Sequence, residues 1–474
     1  MIKNHKFLLK ASVASSLIVL TTGANALEKP KSMDEMWQII QAQQKQIDAL
    51  LANNTEKTAK AAPESKPEVV ATKPTNEVKQ LERKTDILSQ EIEKLRTNLA
   101  IPEETKYKSA YGLGPAASKI YQVGRGLSIG GYGEAHYRAN VADKGNNKDS
   151  ADLERIVLYA GYKFTDDILF NSEIEFEHAT SGEGSEEKGE ISVEFAALDY
   201  FINPLANIRA GLVLMPMGFI NQIHEPPFYF GNARPEVEKR IIPTTWREVG
   251  LGLFGQITPE ISYTSYAVNG LDASEFSSDG IREGRGSGSN AKAESFGFVA
   301  RMDYTPLKLA GLSVGGSTYL GNSGQNEEFN GVKADVFTQL YEAHVQWKYR
   351  GLEFRTLGSW GHINDAALLS AAKNQTIGSQ NYGWYTELGY DVLPLILTDT
   401  TQYLAPFFRY EQLDTIAKAP VGFADDPTKD WEIYQVGLHY KPIPNVVVKA
   451  DYRNRVAKQG KLSDDFNIGF GFIF

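Results

Sequence analysis

The chain ends in Asp465-Phe466-Asn467-Ile468-Gly469-Phe470-Gly471-Phe472-Ile473-Phe474, where large apolar residues alternate with small or polar ones until Ile473. Side chains along a β-strand point alternately to its two faces, so Phe466, Ile468, Phe470, Phe472 and Phe474 share one face. A strand with an apolar column on one face and small or polar residues on the other suits a wall between lipid and water. This stretch therefore predicts a lipid-facing strand of a closed barrel.

The same alternation continues from about residue 126 to the end of the chain. In one segment Phe296, Phe298 and Met302 alternate with Arg301 and Asp303. A helix would show a period of 3.6 residues instead. A soluble sandwich or propeller would have to bury the charged face in a dry core, which is costly. The pattern predicts an all-β, antiparallel transmembrane barrel over residues 126–474, with about 16 strands.

The connections between these segments alternate in length. Asn203-Pro204-Leu205-Ala206 and Lys441-Pro442-Ile443-Pro444 are short turns, whereas residues 220–245 and 270–294 are long connections. Short turns at one end and long loops at the other are typical of transmembrane barrels. Residues 220–245 contain four prolines, which exclude a continuous strand or helix. Held stiff, this loop would fold into the barrel and narrow it; the alternative is an ordinary loop outside.

The first 26 residues have the features of an export signal. Lys3, Lys6 and Lys10 form a basic start, a short apolar stretch follows, and small residues precede a cleavage point after Ala26. The apolar stretch is too short to span a bilayer as a helix. We therefore expect residues 1–26 to be a signal peptide and the rest to be exported.

The exported chain is expected to begin with helices. Residues 27–57 and 76–101 repeat apolar residues every seven positions, which predicts two helices of a short periplasmic coiled coil. Residues 58–75 and 102–125 are interpreted as linkers. Each apolar seam is short, so the helices are not expected to be stable alone. They either associate between copies of the chain or pack on the periplasmic rim of the barrel.

Composition and charge exclude several classes of protein. The chain has no cysteine, which excludes disulfides and thiolate metal sites. Its formal net charge is −10, which argues against a nucleic-acid partner. Net charge does not determine the selectivity of a pore, because only the charges at a constriction do so.

Several short motifs resemble binding sites but lack the structural context or spacing that such sites need. Residues 250–255 match the dinucleotide-binding glycine pattern, but they lie in a predicted strand with no helix after it. Residues 143–149 are rich in oxygen ligands but lack the terminal glutamate of a calcium loop. The histidines lack the spacing of a metal site. We predict no cofactor, metal site or catalytic residue, although spacing alone leaves a Ser/His barrel esterase open.

The most informative stretch carries a family resemblance. It reads Arg209-Ala210-Gly211-Leu212-Val213-Leu214-Met215-Pro216-Met217-Gly218, then His224-Glu225-Pro226-Pro227, Arg234-Pro235 and Ile242-Pro243-Thr244-Thr245-Trp246. Upstream lies Glu173-Ile174-Glu175-Phe176-Glu177-His178. Together they resemble the phosphate-selective porin O and P family of Gram-negative bacteria. The resemblance implies a 16-stranded trimeric porin, in some members with a periplasmic coiled coil.

Charged residues at inward positions are the candidates for the pore lining. An anion pore needs Arg or Lys along the lumen to replace the hydration of the anion. Mixed charges also line the water-facing wall of almost any porin, so the phosphate preference is implied by the resemblance alone. The candidates are Arg155, Arg209, Arg234, Arg240, Arg301, Arg355, Arg453, Lys449, Glu173 and Glu175.

These observations predict a Gram-negative outer-membrane porin that passes small solutes or ions by passive diffusion, without enzymatic activity. The ending also resembles the last strand of bacterial outer-membrane proteins, which implies that Phe474 is the assembly signal read by the barrel-assembly machinery. Further expected partners are outer-membrane lipid, lipopolysaccharide and two more copies of the chain in a homotrimer. The alternative is a structural or adhesive envelope barrel that anchors the coiled coil without transport.

Overall fold

The computed structural model describes residues 108–179, 189–397 and 400–474. The predicted signal peptide and both predicted coiled-coil helices lie outside the described residues. Among the residues that are described, no helix is long and apolar enough to cross a membrane.

The described part of the chain consists mainly of β-strands. The strands are β1 (Gly126–Ala142), β2 (Ser150–Lys163), β3 (Ile168–Glu177), β4 (Ile191–Phe201), β5 (Asn207–Leu214), β6 (Arg247–Thr258), β7 (Ile261–Asn269), β8 (Phe296–Tyr304), β9 (Leu312–Asn322), β10 (Glu328–Phe329), β11 (Val332–Lys333), β12 (Phe337–Tyr349), β13 (Leu352–Ile363), β14 (Gln380–Tyr390), β15 (Tyr403–Lys418), β16 (Asp430–Ile443), β17 (Val446–Ala457) and β18 (Asp464–Ile473).

Sixteen of these strands form one closed barrel, and β10 and β11 form a separate hairpin between β9 and β12. Each barrel strand pairs antiparallel with its neighbours, and β1 closes on β18. At this seam Gly131 and Phe474 exchange two backbone hydrogen bonds of 3.1 and 2.9 Å. Closure leaves no open sheet edge. The predicted antiparallel barrel of 16 strands is confirmed.

The two ends of the barrel carry different connections. Two-residue turns join β6 to β7, β12 to β13 and β16 to β17 at one end, which we name the turn end. At the opposite end, the loop end, residues 215–246 connect β5 to β6 and residues 270–295 connect β7 to β8. The two longest connections of the described barrel therefore start from one rim, as the alternating lengths in the sequence predict, although residues 391–402 form a longer connection at the turn end.

The terminal strand shows how the two faces of the wall differ. Ile468, Phe470 and Phe474 of the apolar column are 47%, 51% and 45% exposed on the outer face. Asp465 and Asn467, which alternate with them, are 0% and 1% exposed inside the barrel. The inner face is therefore polar, and it is also covered by other parts of the chain.

The helices are short and lie in the connections. Their bounds are α1 (Glu236–Arg240) and α2 (Ala366–Lys373), with 3₁₀ turns at Ala117–Gln122, Pro226–Phe228, Ala273–Glu275, Arg282–Gly284, Leu393–Leu395 and Pro427–Lys429.

Two segments enter the barrel and build a core inside it. We name residues 215–246 the inner loop and residues 109–122 the pre-barrel segment. Met217 and Trp246 of the inner loop are fully buried among inward side chains of the wall, and the Trp246 ring lies 4.9 Å from that of Tyr319. A barrel of this size is too wide for its wall side chains to fill. Part of the predicted linker 102–125 is thus packed structure.

Gly131 lets β1 pair closely on both sides, because a Cβ at this position would lie 2.3 Å from the Val157 carbonyl oxygen of β2 and 2.7 Å from the Phe474 ring. We expect Gly131→Val to destabilise the barrel by about 1–3 kcal/mol, the usual cost of overpacking. Urea unfolding followed by tryptophan fluorescence measures this change. Gly124→Val is the matched control, since nothing lies within 4 Å of a Cβ at Gly124. Equal stability of the two variants would contradict the proposed role of this contact.

Candidate functional site

The candidate site is the barrel lumen, and the inner loop determines its shape. Pro226 and Pro227 start a 3₁₀ turn and Pro235 immediately precedes α1, so the loop cannot continue as one regular element. Gly218 and Gly231 adopt left-handed φ angles of +69° and +75°, which suit glycine. The loop therefore bends repeatedly and presents backbone carbonyl groups towards the barrel wall.

Inward arginines of the wall bind these carbonyl groups. Arg301 on β8 donates to the carbonyl oxygen of Gly218 at 2.6 Å, and Arg355 on β13 donates to that of Phe228 at 2.6 Å. Hydrogen bonds from a charged donor contribute about 1.5–3 kcal/mol each. The arginines thus supply partners that the irregular backbone needs inside the barrel.

Arg409 on β15 makes the most extensive of these contacts. It donates to the Phe230 carbonyl oxygen at 2.7 Å, and its Nη2 lies 2.8 Å from Glu387 on β14. Arg409 is 0% exposed and Glu387 is 1% exposed. The Phe230 ring stacks on Phe407 with centroids 5.0 Å apart. This side of the inner loop is therefore fixed to β14 and β15.

Strand β17 holds the tip of the inner loop. Lys449 Nζ donates to the Gly231 carbonyl oxygen at 2.9 Å and lies 3.6 Å from the centroid of the Tyr229 ring. The Asn232 backbone N–H donates to Asp451 at 2.8 Å. Lys449 and Asp451 are thus occupied by the loop rather than by solvent.

Helix α1 lies against the wall on the same side of the lumen. Glu238 accepts a hydrogen bond of 2.6 Å from the Tyr385 hydroxyl group and one of 2.7 Å from the Ile220 backbone N–H. Burial raises the pKa of Glu238 to about 7, although both hydrogen bonds favour its charged form. Val237 and Ile241 are buried in the apolar core beside it.

The pre-barrel segment is joined to the inner loop by one carboxylate. Glu225 accepts hydrogen bonds from the backbone N–H groups of Ala116 at 2.9 Å and Ala117 at 3.2 Å. Burial raises the pKa of Glu225 to about 7, and these N–H groups act in the opposite direction. The segment therefore contacts the loop as well as the wall.

A dense cluster of charges covers the wall from β1 to β3. Arg155 on β2 lies 2.9 Å from Glu134 on β1 and 2.7 Å from Glu175 on β3. His224 of the inner loop lies 3.0 Å from Glu173. These groups alternate in sign, so each charge has an oppositely charged or hydrogen-bonding neighbour.

Arg234 is the exception among the predicted arginines. It extends from the inner loop into the neighbourhood of Arg155, Tyr132, Tyr229 and Glu134. Its Nε and Nη2 atoms are buried and have no hydrogen-bond partner among the described residues. Arg234 therefore has unsatisfied donors beside the charged cluster of β1 to β3.

Open space remains at both ends of the lumen. A cavity of ≈860 Å³ at the turn end is lined by Tyr111 of the pre-barrel segment and by Phe254 and Arg301 of the wall. A cavity of ≈560 Å³ at the loop end lies between Glu194 and Arg285. Between the two ends, residues of the inner loop and the pre-barrel segment pack against inward side chains of the wall.

The predicted pore-lining residues all lie inside the barrel or on its inner loop, but most are bonded within the protein. Arg209 pairs with Asp199 at 2.7 Å, and Arg453 pairs with Asp465 at 2.8 Å. Arg240 lies nearer the loop end, 2.9 Å from Asp279. The sequence predicts these charges along a water-filled lumen; instead they are largely buried, because the inner loop and pre-barrel segment pack against them.

Two basic groups at the loop end are not among the residues predicted from the sequence. Arg282 and Arg285 come from the connection between β7 and β8, and they donate to the carbonyl groups of Thr244 and Thr245 at the end of the inner loop. Burial lowers the pKa of Arg282 to about 10. The two arginines among the glycines and serines of this connection were the available signal. The connection does not alternate apolar and polar residues as a strand does, so the sequence does not show which way these arginines point.

Arg409 offers a direct test of how the inner loop is held. We expect Arg409→Met to destabilise the protein by about 3–5 kcal/mol, because it leaves the Glu387 charge buried with one partner fewer. Urea unfolding monitored by fluorescence measures the loss. Adding Glu387→Gln should recover part of it.

Lys144→Met is the matched control for Arg409→Met. Lys144 pairs with Asp149 at 2.8 Å on the surface, where both side chains are about 40% exposed, and such pairs contribute about 1 kcal/mol or less. A loss for Arg409→Met no larger than the loss for Lys144→Met would contradict the anchoring role of Arg409.

The chain was compared with protein-family models and with solved structures. No protein-family model matches the chain. Among solved structures, the barrel resembles Salmonella typhi OmpF in complex with daunomycin, with a TM-score of 0.50, 13% identity, and coverage of 75% of this chain and 99% of that one. A loop L8 deletion mutant of Vibrio cholerae OmpT has a TM-score of 0.49 and 11% identity, covering 74% of this chain and 100% of that one. The barrel has the 16-stranded fold of general porins.

One relative is similar in sequence as well. An uncharacterized protein of Aquifex aeolicus (strain VF5) is 39% identical over 395 residues, which cover 80% of this chain and 87% of that protein. Identity at this level over most of both chains means common descent and a common fold. The chain belongs to the same family as this Aquifex aeolicus protein.

Proposed function

We propose that the protein is an outer-membrane channel through which small solutes diffuse passively. The observation that carries the proposal is a closed barrel with an apolar outer face and an open cavity at each end of its lumen. A barrel of sixteen strands can hold an aqueous path even when an inner loop narrows it. Diffusion along such a path needs no chemical step and no cofactor.

The outer face supports a position in a membrane. Large apolar side chains are exposed on strands around the barrel, such as Leu251 at 57%, Phe298 at 48% and Val436 at 49%. Exposed apolar surface on this scale is unfavourable in water. The outer membrane is the compartment that fits an exported barrel. The export signal, the periplasmic coiled coil and the homotrimer rest on the sequence alone.

The inner loop suggests where a solute would pass. The sides of the loop that face β13 to β17 are bonded to Arg355, Arg409 and Lys449. Facing β1 to β4 the loop is also held, through His224 on Glu173 and Tyr229 on Glu134. On this side, however, two guanidinium nitrogens of Arg234 and one carboxylate oxygen of Glu194 are buried without a hydrogen-bond partner among the described residues. Water or a passing solute would satisfy these groups. We therefore propose that the path runs between Arg234 and the wall from β1 to β4.

We extend the proposal to a preference for anions such as phosphate, which the family resemblance implies. The support is the position of Arg234, whose free guanidinium atoms can replace part of the hydration of an anion. Glu175 and Glu194 act against this preference, because they line the loop-end cavity together with Arg247 and Arg285. The preference is therefore expected to be weak.

A structural envelope barrel is the second candidate, and the packed lumen favours it. The inner loop and the pre-barrel segment fill the middle of the barrel with apolar side chains such as Met217, Trp246 and Leu113. A barrel that only anchors other parts of the chain would need no continuous path. The absence of conductance would distinguish this candidate from a channel.

Planar bilayers containing the purified protein test both candidates and the role of Arg234. We expect stepwise ionic currents, and in a salt gradient a reversal potential that indicates weak anion preference. Arg234→Gln should shift the reversal potential towards cation preference, because it removes a positive charge from the narrow part of the path. Phosphate should reduce the chloride current less in this variant than in the natural protein.

Lys461→Gln is the control for Arg234→Gln. It removes the same charge from the connection between β17 and β18, where the side chain is 78% exposed, so it should leave the reversal potential unchanged. Equal shifts in the two variants would contradict a special role of Arg234. The lack of any current from correctly folded protein would favour the structural barrel.

The membrane position has its own test at Ile468, on the outer column of β18. We expect Ile468→Lys to destabilise the barrel in lipid vesicles by about 2–4 kcal/mol if the residue lies near the bilayer midplane. Val421→Lys is the control, since Val421 is 94% exposed in a loop beyond β15. Urea unfolding in vesicles measures both. A neutral effect at Ile468 would contradict its position within the hydrocarbon.

A further inference from the structure

The pre-barrel segment (residues 109–122) packs closely against the wall because glycines leave room for it. A Cβ on Gly161 of β2 would lie 2.9 Å from Ile120 Cγ1, and a Cβ on Gly130 of β1 would lie 3.0 Å from the Ala116 carbonyl oxygen. A side chain at either glycine would push the segment away from the wall. The wall is therefore adapted to this segment.

The segment is held to the wall by separate hydrogen bonds, each of which water can replace. Arg209 of β5 donates to the Tyr111 carbonyl oxygen at 3.2 Å and to the Tyr121 hydroxyl group at 2.9 Å, and Lys119 donates to the Ile129 carbonyl oxygen of β1 at 2.8 Å. The Asn171 side chain donates to the Ala117 carbonyl oxygen at 2.9 Å, and the Tyr121 hydroxyl group donates to Asp199 at 2.8 Å. Glu225 of the inner loop accepts from the segment's backbone. No strand ladder and no disulfide joins the segment to the barrel in the described part of the chain.

The connection between the segment and β1 has the features of a hinge. Gly124 and Gly126 lie on either side of Arg125, and nothing lies within 4 Å of a Cβ at either glycine. Gly126 has a φ of +92°, which favours glycine. Gly126 begins β1 and pairs with Lys163 of β2, so it is the fixed end of this hinge, and the exposed Gly124 and Arg125 can rotate without disturbing the barrel.

We infer that the pre-barrel segment is a movable plug, which turns about Gly124–Arg125–Gly126 and leaves the lumen at the turn end. This inference rests on the proposed channel function. The plug is linked to the constriction, because Glu225 belongs to the inner loop and binds the backbone of Ala116 and Ala117. Its departure removes apolar side chains from the lumen and frees the Glu225 carboxylate.

The cavity beside the segment is consistent with this movement. The ≈860 Å³ space at the turn end is lined by Tyr111 of the segment on one side and by Phe254 of β6 on the other. Leu113 and Ile120, which are 4% and 1% exposed, would leave with the segment. The cavity would then extend towards His224 and Glu173, and the wide path would reach the charged part of the lumen.

A disulfide lock tests the movement, since the chain has no cysteine of its own. The Ile120→Cys/Gly161→Cys pair is suitable because the two Cβ atoms would be 3.1 Å apart, so a small outward shift of the segment brings them into the range of about 3.5–4.5 Å found in disulfides. Single-channel currents are recorded from the oxidised and the reduced double variant. Two further variants complete the set. One lacks residues 109–122, and the other carries Glu225→Gln.

We expect the oxidised pair to show only a small conductance level. Reduction should restore openings to a larger level, as in the natural protein. The deletion should remain at the larger level, with a severalfold higher conductance, and Glu225→Gln should open more often. The single variants Ile120→Cys and Gly161→Cys, each measured with and without reductant, control for the substitutions. Heat-dependent gel mobility confirms that each variant has folded.

Three results would overturn the inference. Identical currents from the oxidised and reduced pair, with an unchanged deletion, would mean that the segment does not obstruct the path. Identical currents from the pair with a larger current from the deletion would mean that it is a fixed part of the core. No current from any folded form, the deletion included, would refute both the channel and the plug, whereas the first two results leave the channel standing.

Discussion

Closure of the sheet between β1 and β18 is the constraint on which the rest of the structure depends. Once Gly131 and Phe474 pair at the seam, sixteen strands enclose a space wider than their own inward side chains can fill. The space must hold water or other parts of the chain. This protein uses both, since the inner loop and the pre-barrel segment occupy the middle and open cavities remain at the two ends.

Filling a polar interior with irregular backbone creates a demand for hydrogen-bond partners. A carbonyl group buried without a partner is costly, and the inward arginines remove that cost. Arg301, Arg355 and Arg409 each pair with a carboxylate on the wall and donate to a carbonyl group of the inner loop. The carboxylates balance the charge, and the remaining donors hold the loop. The mixed charges of the inner face therefore have a structural role.

This explains how far the sequence could predict the molecule. A period of two residues is a local property, so the barrel, its strand number and its inward positions could all be predicted. The partners of the inward charges could not, because they come from distant residues: Arg409 binds the carbonyl group of Phe230, 179 positions away. The pre-barrel segment resembled a linker because its short 3₁₀ turn shows no sustained period.

Buried charges without a hydrogen-bond partner bear on where a solute could pass. Along β13 to β17 the inner loop is bonded through Arg355, Arg409 and Lys449. On the opposite side the loop is held by His224 and Tyr229, but the charged groups of Arg234 and Glu194 have buried atoms that lack hydrogen-bond partners in the described residues. Leaving buried polar atoms unsatisfied is unfavourable unless water reaches them. This cost supports the proposal that a hydrated path runs beside Arg234.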